Sequence, residues 1–327
     1  MVKQPARLFR LAIPLAVLSL GASEPAVAQS YPSNMIRIVV GAAGGPGDII
    51  TRIVANELGQ SEGWRIVVEN KPGAIGTLAG AEVLKQPADG YSIYTITLPN
   101  SAAPALLRNN SFRLDTDFTP VIKLMTADHV LVVNPSVPAR SLTELVALLR
   151  SHPDKFNFSS GGFGTPAHLT GELFKLQTGA RVAHVPYRTL PQAIGDLVNG
   201  TNHFQFINPL PVLDLIAAGK LRALAVTGPR RMPALKDVPT VVEEGFPDLV
   251  IQDWVGFVVK GGTPDAIVTR LNEAINKALA KPAVREAFAK IAAEPAGGSP
   301  TEFAALIKSQ IAHWGQVVKD AGITVLE

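Results

Sequence analysis

The chain contains no cysteine among its 327 residues, which excludes disulfide scaffolds, thiolate metal sites and thiol nucleophiles. Charge is sparse and balanced: Asp, Glu, Lys and Arg make up 17% of the chain, with 30 basic against 27 acidic residues. Such a balance gives no electrostatic footprint for nucleic acid, and none is expected as a partner. The sequence motifs of catalysis are also missing. There is no G-x-S-x-G nucleophile elbow, no H-E-x-x-H and no acidic cluster with calcium spacing. No catalytic residue, metal site or cofactor is therefore expected. Long apolar runs are absent as well. The longest at the N-terminus, Leu11 to Leu20, is about half of the ~20 residues that a membrane-spanning helix needs.

That short run has a different meaning. Lys3, Arg7 and Arg10 precede it and Ala26-Val27-Ala28 follows it, the layout of an export signal with a small-x-small cleavage site. Residues 1–28 are expected to be removed, so that the mature chain starts at Gln29 and works in the periplasm. Without the signal, which holds Lys3, Arg7, Arg10 and Glu24, 27 basic and 26 acidic side chains remain. The 299 residues left are enough for two domains of ordinary size.

Strand-like and helix-like segments then alternate. Met35 to Val40 reads as a strand, Ile49 to Leu58 as a helix, Arg65 to Val68 as a strand, Leu78 to Leu84 as a helix and Tyr91 to Thr97 as a strand. A second run begins at His129 to Val133. Ser141-Leu142-Thr143-Glu144 is a capping box, Phe156 to Ser159 a strand and Ala167 to Leu176 a helix. Further strands are expected at 182–185, 204–206 and 221–226, and helices at 192–198 and 212–218. A Pro-rich connection over 228–247 leads to a strand at 254–259, and Ser299-Pro300-Thr301-Glu302 caps the last long helix. The pattern predicts an α/β fold of two domains, each a mostly parallel sheet flanked by helices.

Two glycine-rich segments sit where a strand hands over to a helix: Gly41-Ala42-Ala43-Gly44-Gly45-Pro46-Gly47-Asp48 and Ser160-Gly161-Gly162-Phe163-Gly164-Thr165-Pro166. Neither is a dinucleotide fingerprint or a P-loop. Glycine lets a ligand approach the backbone, and a helix N-terminus carries partial positive charge, so two such loops facing across a cleft suit an anion. Asp48 has two readings, a brace in the first helical turn or an acceptor for a ligand donor. The brace is preferred, because a carboxylate aimed at an anionic ligand opposes binding. His168 is the one histidine in a glycine-loop context, placed either to cap its helix or to donate to a ligand.

Several further segments, taken in order, resemble the periplasmic substrate-binding proteins of tripartite tricarboxylate transporters, the Bug family. They include 67–74 (VVENKPGA), 134–138 (NPSVP), 168–174 (HLTGELF), 184–187 (HVPY), 217–227 (AAGKLRALAVT), 237–241 (DVPTV) and 261–264 (GGTP). The resemblance implies a clam-shell binding protein of the type II periplasmic kind, with 29–128 plus 251–327 as domain 1 and 129–250 as domain 2. It implies capture of a small organic acid, a di- or tricarboxylate or an aromatic acid, for delivery to membrane permease subunits by a monomeric protein. Carried onto this chain, the ligand-binding positions are Gly44, Gly45, Pro46, Asp48, Asn100, Ser101, Ser160, Gly162, Gly164, Thr165, His168, Tyr187 and Asn208. Three departures bear on the ligand. Gly41-Ala42 stands where the family commonly has Pro-Phe, in a loop one residue shorter, which removes an aromatic wall. Arg188-Thr189 follows Tyr187 in place of Lys-Gly, and His203 stands where an aspartate is common. Two other classes fit an exported α/β chain, a secreted enzyme acting on an anionic substrate and a ligand-binding sensor subunit.

Overall fold

The computed structural model describes residues 31–323. The expected signal sequence and the start at Gln29 lie outside the described residues. In chain order the elements are β1 (Ile36–Val40), α1 (Pro46–Glu62), β2 (Ile66–Asn70), α2 (Thr77–Leu84), β3 (Ser92–Thr97), α3 (Leu98–Leu106), β4 (Phe118–Asp128) and β5 (Val130–Val133). Then come α4 (Leu142–Ser151), β6 (Asn157–Ser160), α5 (Pro166–Thr178), β7 (Ala183–Pro186), α6 (Leu190–Val198), β8 (Phe204–Ile207), α7 (Leu213–Ala217) and β9 (Arg222–Val226). The chain ends with β10 (Gln252–Lys260), α8 (Asp265–Leu279), α9 (Pro282–Ala289), β11 (Glu294–Pro295) and α10 (Pro300–Asp320).

The strands form two sheets, in the orders β11-β4-β10-β3-β1-β2 and β7-β6-β8-β5-β9. The parallel pairs are β1 with β2 and β3, and β6 with β7 and β8, each joined through a helix as the alternating pattern predicts. The strands next to the two passages between sheets pair antiparallel: β10 with β3 and β4, and β5 with β8 and β9. The two passages differ in length. Asp128 ends β4 and Val130 begins β5, while β9 and β10 are joined by the Pro-rich connection.

Alternation along the strands divides the core. In β1, Ile36 and Ile38 pack with Ile50, Val54 and Leu58 of α1 and with Val268 and Leu271 of α8, whereas Val39 faces the cluster that holds Tyr94, Ile96, Phe303 and Trp314. In β5, Leu131 and Val133 join that second cluster, while Val130 and Val132 face Leu197, Ile207 and Val212. One buried cluster therefore contains residues of both sheets, Tyr94 and Ile96 from one and Phe158 and Phe204 from the other.

Three elements escape the sequence pattern: the two-residue β11, β4 and α3. β4 contains Pro120 and is interrupted by register shifts against β10, so its apolar residues do not alternate. α3, to which the sequence pattern assigns no element, contains Pro99 and Pro104; Pro99 occupies the first turn, where its missing N–H costs nothing.

Candidate functional site

Three helix N-termini open onto one cavity of about 470 Å³ between the two sheets. α1 contributes Gly45, Pro46 and Gly47, α3 contributes Thr97, Leu98, Pro99 and Asn100, and α5 contributes Gly164, Thr165 and Pro166. The three helices have 17, 9 and 13 residues, and each carries a proline in its first turn. The first N–H groups of a helix have no partner within it, so each terminus directs donors and a positive dipole end outward. Gly45 and Thr165, the caps of α1 and α5, have no side-chain hydrogen bond across the terminus. The remaining wall is mostly apolar, with Val40, Ala42, Pro72, Ile75, Met125, Phe163, Trp254 and Val255.

The first loop is held from behind. Asp48 Oδ2 accepts from Gly44 N–H at 2.9 Å, and Asp48 Oδ1 accepts from Arg52 Nε at 3.0 Å and Asn70 Nδ2 at 2.9 Å. Burial alone would raise the Asp48 carboxyl. The donors from Arg52, Asn70 and Gly44 outweigh it and hold the group below the usual carboxylate range. The carboxylate is buried and engaged by the loop, by its own helix and by the end of β2.

The second loop is held by imidazole. Gly164 N–H donates to His168 Nδ1 at 3.1 Å, and His168 lies against His184 with ring centroids 4.3 Å apart. His184 Nε2 and Ser160 Oγ are 2.7 Å apart, and Ser160 Oγ also accepts from Gly162 N–H at 3.1 Å. Burial, with Lys175 adding to it, pushes His168 down to about 4. Burial, His168 and Lys175 push His184 down to about 3. Both rings are therefore neutral near pH 7, and His168 presents a lone pair to its loop.

The structure brings five of the thirteen sequence-derived positions to the cavity wall: Gly45, Pro46, Asn100, Gly164 and Thr165. The others stand behind it or away from it. Gly44, Asp48, Ser160, Gly162 and His168 shape the loops through the bonds just described. Ser101 Oγ donates to the carbonyl of Leu98 at 2.6 Å, inside α3. Tyr187 Oη donates to Asp196 Oδ2 at 2.6 Å and accepts from Asn202 Nδ2 at 2.8 Å. Asn208 Oδ1 accepts from Leu210 N–H at 3.0 Å, closing a turn. None of these last three is on the wall of the cavity. Their polar groups are spent on local backbone and neighbouring side chains, which sequence spacing does not reveal.

Asn100 supports as well as lines. Its Oδ1 accepts from Thr97 N–H at 2.7 Å, and its Nδ2 donates to the carbonyl of Ile75 at 2.7 Å. That second bond holds a wall segment in which Ala74 and Ile75 both have positive φ, at 46° and 55°. Such residues cost about 1–3 kcal/mol each and persist where the surroundings fix them. Tyr94 Oη, donating to the carbonyl of Gly76 at 2.8 Å, is a further tether.

The departure at Gly41 has a steric reason here. A Cβ on Gly41 would lie 2.5 Å from the Gly76 Cα, so the backbone of the strained wall occupies the space of a side chain. Aromatic surface comes to the cavity from Phe163 and Trp254. Phe163 lies within the second glycine loop read from the sequence, whereas Trp254 was missed, along with Thr95, Thr97, Met125, Asp253, Pro72, Gly73, Ile75 and Gly76. The available signal was position: Thr95, Thr97 and Asp253 to Val255 lie at the ends of strands beside the glycine loop, where open α/β sheets bind ligands.

Among the described residues, no group of three or more His, Asp or Glu could hold a metal ion. No helix among them is long and apolar enough to cross a membrane. Comparison with known proteins agrees with the geometry. The chain is 34% identical to protein BugT of Bordetella pertussis over 316 residues, 95% of this chain and 96% of that one. A Rhodopseudomonas palustris protein solved with adipate superposes with a TM-score of 0.78 at 34% identity, covering 90% of this chain and all of the other. MatC of Rhodopseudomonas palustris, solved with bound malate, gives a TM-score of 0.75 at 30% identity over 88% of this chain and all of the other. Residues 50–323 match the model of the tripartite tricarboxylate transporter family receptors, and the chain belongs to that family.

Proposed function

We propose that the protein is a periplasmic solute receptor that closes around a small organic acid and delivers it to the permease subunits of a tripartite transporter. The observation that carries this reading is the convergence of three helix N-termini on one interdomain cavity whose wall, among the described residues, holds no lysine, arginine or histidine. Oriented N–H dipoles supply the attraction for a carboxylate, and the apolar wall accepts the carbon skeleton. Adipate and malate bound to relatives belong to the same class of ligand. The two lobes are assigned as 29–128 with 251–327, and 129–250, hinged at the passages near Asp128 and Gln252. The receptor is assigned as a monomer without catalytic activity, exported by the signal at residues 1–28.

The test is a thermal-shift and calorimetric screen of the mature chain against mono-, di- and tricarboxylates and aromatic acids. A ligand at a hundred times its dissociation constant adds ~2.7 kcal/mol of stability. At least one carboxylate is expected to raise the melting temperature with saturable, one-site binding. Failure of every acid to bind, or turnover of any of them, would remove the reading.

A further inference from the structure

The cavity wall carries one ionisable side chain among the described residues, and it is acidic. Asp253 lies at the start of β10, where Val255 pairs with Thr97, so Asp253 extends two residues past the end of β3. Its Oδ2 accepts from His129 Nε2 at 2.9 Å. Its Oδ1 is buried with no hydrogen-bond partner. A carboxylate oxygen left without a donor in a buried site is costly and calls for one.

The other polar side chains on the wall are already engaged. Thr95 Oγ1 and Thr51 Oγ1 share a bond of 2.9 Å, and Thr97 Oγ1 donates to Asn100 Oδ1 at 3.1 Å. Asn100 is tied to Ile75 and Thr97, and Thr165 Oγ1 donates to the carbonyl of Gly162 at 2.7 Å. Side-chain selection among ligands therefore falls to Asp253.

Its position fits a second contact point. β10 and β1 are separated by β3 alone, two strand spacings, or about 10 Å. The N-terminus of α1 follows β1 through the first glycine loop. The separation is on the scale of a short carbon chain that carries a polar group at each end.

Resting on the receptor reading above, we propose that Asp253 selects ligands that carry a hydrogen-bond donor, an ammonium or a hydroxyl, at the end away from the carboxylate held by the helix termini. A second carboxylate there would face Asp253 without a proton between them. An ω-amino or ω-hydroxy acid sets a donor against this carboxylate and leaves its bond to His129 in place.

The experiment is calorimetry on the mature chain with straight-chain acids of four, five and six carbons in three matched series: ω-amino acids, ω-hydroxy acids and α,ω-dicarboxylates. In the wild type, at least one donor-bearing acid should bind tenfold or more tightly than the dicarboxylate of equal length. Asp253→Asn should cut its affinity at least tenfold and narrow or invert the order, because the amide can itself donate to a carboxylate. Asp253→Ser reads the same loss should the amide variant fail to fold. Equal or tighter binding of the dicarboxylates by the wild type overturns the proposal and leaves the receptor reading intact. A preference that survives in the folded variant overturns it too. Absence of binding by every acid, here and in the wider screen, overturns both.

Discussion

The two glycine loops solve one problem with different chemistry. α1 and α5 each begin with proline, at Pro46 and Pro166, and the residue two places on reaches back to the N–H two places before it. In the first loop the acceptor is a carboxylate, Asp48 to Gly44; in the second it is a neutral imidazole, His168 to Gly164. The carboxylate is fed by three donors and stays charged below the ordinary carboxylate range, whereas the imidazole is kept uncharged by burial against His184. A charged brace behind a helix N-terminus is favoured by the dipole and tied to exposed Arg52. A neutral brace adds no negative charge to the second wall, which needs its own donors for the same anion. The pair shows that backbone geometry can be held constant while the charge behind it is varied.

The sharpest way to break the comparison is at the caps. Gly45→Val should abolish carboxylate binding, by roughly a hundredfold or more, with a melting temperature close to wild type. A Cβ at Gly45 meets nothing within 4 Å and so projects into open space on the cavity wall. Thr165→Val keeps the shape of its cap and removes only the bond to Gly162, and should weaken binding less than tenfold. Equal losses in calorimetry would mean the loops do not share the load as described.

Removing the braces comes next. Asp48→Ala strands Gly44 N–H, Arg52 and Asn70 and should cost about 2 kcal/mol in denaturant unfolding. Asp48→Asn should also lose stability, though less, because its amide turns a donor toward groups that already donate. A fully stable amide variant would show that charge plays no part in the brace. His168→Phe keeps the ring in its stack and leaves Gly164 N–H unpaired, for a loss of about 1 kcal/mol. A loss equal to that of Asp48→Ala would erase the difference drawn between the loops.

The smallest effect is in pH. The unfolded histidines take up protons near pH 6.5, while folded His168 and His184 resist until about 4 and about 3. Their contribution is constant above pH 6.5 and turns against the fold as pH drops from there toward 4. His129 acts in the opposite sense. Burial would lower it, but the charge of Asp253, helped by Asp128, raises it, so the stability it adds is complete below pH 6.5 and is lost as pH rises through its raised value. Denaturant midpoints between pH 8 and 4 should rise at the acid end in His168→Phe relative to wild type and lose their alkaline decline in His129→Gln. Parallel profiles for all three proteins would contradict these assignments.

The loops were legible because glycine, proline and helix-capping residues act locally. Pro46 and Pro166 mark first turns, and Ser299 with Glu302 forms the box that the spacing predicts, with bonds of 2.8 and 3.2 Å. Ser101, Tyr187 and Asn208 were attractive for their residue type and proximity to strand ends. Their side chains turn instead to Leu98, Asp196 and Leu210, a choice made by nearby backbone and side-chain partners. Asp253 and Trp254 were invisible because they reach the cavity only through the pairing of β10 with β3, more than 150 residues apart in sequence.

By itself the sequence determined the α/β grammar, the two glycine loops, the capped helices and the family, since each depends on residues within a few positions of one another or on their order along the chain. Tertiary structure alone decided that α3 would join α1 and α5 at one cavity, that Gly41 would yield its side-chain space to Gly76, and that Asp253 would stand on the wall with one oxygen unpaired. Those outcomes depend on strand register and on which backbones approach one another across the fold. Periodicity and composition carry no information about either, because the same local pattern is compatible with many registers until the sheets close on a common core.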